Sequence, residues 1–167
     1  MNAVELDRLL IKIQKGDNQA FEELYIATRR GIYAFLHTYF QNTADTEDAV
    51  QSVYLRIKMY ISSYRRGSNA RAWMLQIAKN YALDVLKKAR REIPSEEIEI
   101  VAEPIVGETT ILELMKKLLS EEEQRIVTLH VLWEYKHREI ADMLDIPTGT
   151  VTSKYKRAIE KLRKALV

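Results

Sequence analysis

Composition and punctuation predict an all-α protein of two small helical domains joined by a flexible acidic linker, the C-terminal one a helix-turn-helix. Three observations predict it. The chain has 167 residues with only 5 Gly and 3 Pro and is rich in Leu, Ala, Glu, Lys and Arg, the make-up of long helices rather than of sheets. Apolar residues recur three and four apart almost continuously from Val4 to about Arg90, and again from about Thr110 to the end, which is the period of an amphipathic helix. Between them, residues 92–108 carry 6 acids, no base, Pro94, Pro104 and Gly107. That is the composition of a tether. The domains are expected at residues 1–91 and 110–167, with the linker at 92–109.

The first helix is set by Leu6, Leu9, Leu10 and Ile13 on one face, with charges spread between them, so it reads as an amphipathic helix and not as a secretory signal. Gly16-Asp17-Asn18 stops it and offers a cap for the next. Gln41 to Asp45 is a second polar break before the acids Glu47 and Asp48, and Tyr64 to Ala70, with Gly67-Ser68-Asn69, is a third. After the linker the pattern runs on to the corner Asp145-Ile146-Pro147-Thr148.

A net charge of +2 conceals a segregation. Residues 1–91 hold 15 basic against 9 acidic side chains, and residues 109–167 hold 11 against 9. Within the latter, residues 147–167 hold 6 basic side chains and one acid. A basic stripe on one helix is the footprint of phosphate binding, although a solvated helix face gives the same count. With no Cys there are no disulfides, thiolate metal sites or cysteine nucleophile, and no apolar run is long enough for a membrane span, which points to a cytoplasmic protein.

From His137 to Leu166 the pattern is that of a helix-turn-helix: Ile140, Ala141 and Leu144 inward, the corner, then a longer helix. Thr148 can cap that second helix, whose packing face is Val151, Tyr155, Ala158, Ile159 and Leu162. Thr152, Ser153, Lys154, Lys156 and Arg157 are left on or beside the opposite face. Hydroxyls and long cations there can reach phosphates and base edges when the helix enters a major groove. An ordinary helical hairpin with a charged exterior would look the same. In the N-terminal half, Ala49, Val50, Val53 and Ile57 form the packing side of a helix that leaves Asp48, Gln51, Ser52 and Arg56 for another surface.

Glu121 to Val127, Glu139-Ile140-Ala141 and Ile146-Pro147-Thr148-Gly149-Thr150-Val151-Thr152-Ser153-Lys154 resemble the promoter-reading domain of RNA polymerase sigma factors. Ala70 to Lys88, with Trp73, Ile77-Ala78, Asn80 and Asp84 at the family spacing, is similar to the helix with which that family opens and reads the minus-10 element. Two such motifs in order in so short a chain point to the extracytoplasmic-function (ECF) type. The resemblance implies an alternative sigma factor, not an enzyme. Its implied partners are core RNA polymerase, through the beta and beta-prime subunits, promoter DNA and an anti-sigma factor, with no cofactor and no metal.

The resemblance implies roles residue by residue. Asp48, Gln51, Ser52 and Arg56 would bind core polymerase, Ser52 standing where the family usually has an acid. Tyr64, Arg65, Arg66, Asn69, Arg71, Lys79, Asn80 and Lys87 would serve the minus-10 element, where melted strands are held by cations with aromatic or amide groups against exposed bases. The loop from Tyr64 to Arg71 occupies the place where the family captures a base flipped out of the stack. Trp73, spaced with Ile77 and Tyr81, reads as core rather than as a stacking platform. Thr152, Ser153, Lys154, Lys156 and Arg157 would read the minus-35 element. The family's common Gly-x-Ser-Tyr before the helix-turn-helix is here Glu134-Tyr135-Lys136-His137.

Other functions lack their parts. His37, His130 and His137 lie in different segments without a metal-ligand pattern, and there is no Gly-rich phosphate loop. A dimeric helix-turn-helix regulator is the main alternative, and it has no reason to carry the segment from Ala70 to Lys88. A sigma-like adaptor used only for protein contacts is a further one.

Overall fold

A computed structural model describes residues 1–91 and 108–166, so the linker expected at 92–109 lies almost wholly outside the described residues. Among these residues there are eight α-helices and no strand, in agreement with the expected class. They form two compact units, one of residues 1–36 and 42–91 and one of residues 37–41 and 108–166.

In the first unit α1 (Ala3–Gln14) starts on a reciprocal cap: the Asn2 side chain accepts from the Glu5 amide at 2.9 Å and the Glu5 carboxylate accepts from the Asn2 amide at 3.0 Å. It ends where Gly16, at φ 88°, lets the Gly16 and Asp17 amides turn back onto the carbonyls of Ile13 and Lys12. The next helices are α2 (Asn18–Phe40) and α3 (Thr43–Tyr60), the latter capped by Asn42 through the Asp45 amide. A 3₁₀ turn (Ile61–Ser63) leads into the loop before α4 (Ala70–Arg91). Leu6, Leu10, Leu24, Ile32, Phe35, Leu36, Ile57, Met74 and Leu75 are fully buried. Each contributes about 1.5–3 kcal/mol of apolar burial. The expected packing side of α3, Ala49, Val50, Val53 and Ile57, is buried as read from the sequence.

In the second unit α5 (Glu108–Leu118) and α6 (Glu121–Val131) precede α7 (His137–Leu144) and α8 (Thr148–Leu166). Ser120 and Glu123 cap α6 reciprocally, and Glu121, Glu122 and Glu123 complement the positive end of its dipole. Asp145 ends α7 in the left-handed conformation, φ 57° and ψ 48°, which a short polar side chain tolerates. Pro147 follows, and its carbonyl accepts from the amides of Thr150 and Val151. Thr148 is thus the first residue of α8 rather than its cap. Helix α8 packs on α5, α6 and α7 through buried Val151, Ala158 and Leu162.

Candidate nucleic-acid interface

The loop from Tyr64 to Asn69 is too polar to hold itself, and α1 holds it. Tyr64 is 3% exposed and its hydroxyl donates to the Asp7 carboxylate, which also accepts from the Gly67 amide at 2.9 Å. On the other side of the turn the Gln14 amide donates to the carbonyls of Ile61, at 2.8 Å, and Tyr64. Gly67 sits at φ 78°, where a side chain would be strained. Burial, then the neighbouring carboxylate, pushes the Tyr64 phenol up to about 12. Hydrogen bonds from Tyr64 and Gly67 hold the Asp7 carboxyl below its usual range.

Tyr64 therefore differs from its loop companions, since its ring faces the interior and packs edge-on to Trp73 at 5.2 Å between centroids. Arg65 and Arg66 are exposed. The Asn69 side-chain oxygen caps α4 by accepting from the Ala72 amide at 3.0 Å. Arg71 donates to the carbonyl of Met1 at 3.1 Å, so its guanidinium lies over the start of the chain.

Trp73 departs from the core reading. The buried line of α4 is Ala70, Met74, Leu75, Ala78 and Ala82, and the row of Trp73, Ile77 and Tyr81 flanks it, half-buried. Small residues admit α4 close to its neighbours, which pushes the indole to the rim. There, Trp73 and Ile77 line a hollow of about 320 Å³ with Arg56, Tyr60, Ser63, Asn80 and Asp84. Its size falls at the lower end of small-molecule sites, about 300–1,000 Å³. The Arg56 guanidinium lies 4.9 Å from the Tyr81 ring and 3.9 Å from Asp84, and Asn80 accepts from Gln76 at 2.8 Å. Lys87 shares the Asn80 face two turns on, and Lys79 is half-buried on the adjoining face.

Asp48 and Gln51 are exposed on α3 and Ser52 is half-buried. Asp48, Ser52, Leu55 and Met59 fall three and four apart in one row, with Leu55 and Met59 exposed at 64% and 71%. The sequence reading did not single out the two apolar members. Large apolar residues standing outward in an otherwise regular helix were the available signal.

On α8, Ser153, Lys156 and Arg157 are exposed. The Lys154 ammonium is engaged by Glu122 of α6 at 2.6 Å, and the Thr152 hydroxyl lies 3.0 Å from Nδ1 of His137. Lys161 pairs with Glu123 at 3.2 Å. The five candidate residues thus occupy adjoining positions of one helix, two of them tied to α6 and α7. Those ties link residues 15 to 38 apart in sequence, and nothing local in the sequence marks them.

The chain thus presents two helical units, one with a braced cationic loop beside a helix rim and one a helix-turn-helix with a basic second helix, the class of DNA-binding fold. Residues 24–92 match Sigma-70 region 2 and residues 110–162 match Sigma-70, region 4. The chain belongs to the sigma-70 family, and within it to the ECF type. It is 26% identical to ECF RNA polymerase sigma factor SigW of Bacillus subtilis, over 93% of each chain. It is 28% identical to ECF RNA polymerase sigma-E factor of Escherichia coli, over 93% of this chain and 92% of the other. The fold is shared with CnrH, solved in complex with the cytosolic domain of CnrY, at TM-score 0.65 and 17% identity over 97% of each chain. It is shared also with the sigma factor RpoE of Bartonella quintana, solved in complex with the anti-sigma factor NepR, at TM-score 0.66 and 22% identity over 87% and 96%. The protein is an alternative sigma factor that directs promoter-specific transcription. Sigma factors are in general not enzymes, and no helix among the described residues is long and apolar enough to cross a membrane.

Proposed function

We propose that the first unit opens and reads the minus-10 element while α8 reads the minus-35 element, on a chain docked to core polymerase through α3. The observation that carries this is the braced loop beside the hollow. Extruding a base costs a few kcal/mol, so its receptor must be formed before the base arrives. Asp7 and Gln14 fix the loop without occupying Arg65 or Arg66, and the hollow offers an indole and an amide to an unstacked base. Arg65, Arg66, Arg71, Lys79 and Lys87 would follow the strand. Asn80 would face the base and Asn69 would shape the loop, with Tyr64 acting from within.

The row of Asp48, Ser52, Leu55 and Met59, flanked by Gln51 and Arg56, would meet polymerase, where an apolar pair with a polar rim gives a small docking patch. An anti-sigma factor would be a further partner, as the Bartonella relative was solved with one. The place of action would be the cytoplasm, with core polymerase. On α8, Arg157 would contact base edges, with Thr152, Ser153, Lys154 and Lys156 sharing base and phosphate contacts.

The test mixes the chain with sigma-free core polymerase and a genomic fragment library, then maps transcript starts. Starts preceded by a common pair of elements at fixed spacing are expected. Initiation indistinguishable from that of core alone would overturn the reading.

A further inference from the structure

Behind the corner of the helix-turn-helix, three rings meet without an acid among them. His130 at the end of α6, His137 at the start of α7 and Tyr155 on α8 meet in tilted and edge-on contacts, with centroids 4.8, 4.6 and 5.1 Å apart. Nδ1 of His130 lies 2.8 Å from the Tyr135 carbonyl, which fixes it as the protonated nitrogen of that ring. Nδ1 of His137 lies 3.0 Å from the Thr152 hydroxyl, and its Nε2 is buried with no hydrogen-bond partner. We propose that His137 is a positioning residue for the recognition helix: the neutral imidazole, packed against His130 and Tyr155, donates from Nδ1 to the Thr152 hydroxyl and seats α8, and protonation at its buried Nε2 drives the ring out and releases both. The inference rests on the reading of α8 as the minus-35 reader.

The geometry explains why only the neutral ring fits. With the neutral ring's proton on Nδ1, donating to the Thr152 hydroxyl, Nε2 is a bare lone pair; protonation adds an N–H there, buried, with nothing to accept it. The groups facing the ring are the His130 imidazole from α6 and Tyr155, Thr152 and the Lys156 ammonium from α8, none of which can balance a positive charge. Burial first, then His130 and Lys156, hold the His137 pKa below 6.5. A lowered folded pKa means that the unfolded or released ring binds the proton more readily. The contribution is therefore complete above 6.5 and is lost as pH falls through the lower folded value.

The sign of the effect separates this role from plain electrostatics. Added positive charge on a DNA-binding unit ordinarily tightens its hold on phosphates as pH falls. Release of Thr152 and of the α8 seat predicts the opposite. The third histidine, His37, is also buried with its pKa lowered by that burial, so the acid response is read as a difference between the native chain and a His137 variant.

The experiment compares holoenzyme made with the native chain, His137→Tyr and His137→Gln, binding minus-35 promoter duplex and a scrambled duplex at pH 7.5 and at steps down to 5.5. Native specific affinity should fall by up to about tenfold per pH unit once the ring titrates. His137→Tyr, which keeps a ring but cannot titrate there, should start weaker and show a flatter profile. His137→Gln, whose amide can still bond Thr152, should recover part of the loss at pH 7.5 and stay flat. Imidazole proton shifts of the full native chain should place His137 below 6.5 and move with Thr152. Parallel pH profiles for all three proteins, or native affinity that rises on acidification, would overturn the positioning role. No preference of native holoenzyme for the promoter duplex at pH 7.5 would instead overturn the reading of α8, and this inference with it.

Discussion

The two candidate DNA-facing surfaces are braced by different physics. In the first unit the loop beside α4 is held by hydrogen bonds that the Asp7 carboxylate accepts from the Gly67 amide and the buried Tyr64 phenol, and that the Gln14 amide donates to backbone carbonyls. In the second, α8 is held by ion pairs from Glu122 and Glu123 to Lys154 and Lys161 and by the histidine cluster. Hydrogen bonds to a buried partner respond little to ionic strength, whereas partly exposed ion pairs weaken as salt is added. The difference teaches that the loop beside α4 is built to stay in one shape, while α8 can exchange its internal partners for others.

The sharpest way to break the comparison is Asp7→Ala. It removes the acceptor of the Gly67 amide and the nearer of two acceptors of the buried Tyr64 hydroxyl, which keeps only the Ser68 carbonyl at 3.2 Å, so the loop loses its tie to α1. Open-complex formation should fall at least about tenfold while core binding is kept, measured by permanganate footprinting beside a core-affinity titration. Because the Asp7 pKa is depressed below 3.8, its support is complete above that value and is lost only as pH falls through the lower folded value. The loop should therefore keep its support throughout an acid titration that stays above 3.8.

Next in size is Arg157→Ala, expected to cost roughly 1–3 kcal/mol at one promoter position, against a uniform weakening for Lys156→Ala, with binding to a set of single-base promoter variants as the measurement. Gly16→Ala sharpens the contrast from the side of the scaffold. At φ 88°, with nothing within 4 Å of an added Cβ, the cost is conformational alone, about 1–2 kcal/mol in thermal unfolding, with no change in promoter preference. The smallest effect belongs to Glu122→Gln. The half-exposed pair with Lys154 contributes under about 1 kcal/mol, so stability should barely move, while freed Lys154 should tighten duplex binding at low salt and lose that gain at high salt.

What the sequence disclosed follows the range of the interactions. Gly16, Asn42 and Asn69 punctuate helices through contacts within four residues, and the packing sides of α3 and α8 repeat with the helix turn, so both were legible. Trp73 was misplaced because periodicity reports which residues share a face but not how closely that face approaches its neighbour. Asp7 lies 57 residues from Tyr64 and Glu122 lies 32 from Lys154, so these braces had no local signature. His137 was visible as a departure from the family's aromatic position, and Glu134, at φ 58°, stands where the family's glycine would relieve the same turn. Their physical meaning needed the assembled corner.

The central claim is that the two surfaces read separate promoter elements from one chain. Abortive transcription by holoenzyme containing the native chain, Arg65→Ala with Arg66→Ala, or Arg157→Ala, on promoters altered in either element alone, tests it directly. The account predicts that the loop variant loses discrimination only at the minus-10 element and the α8 variant only at the minus-35 element, with the two losses additive in free energy when combined. Loss of discrimination at both elements from either variant, or at neither, would contradict it.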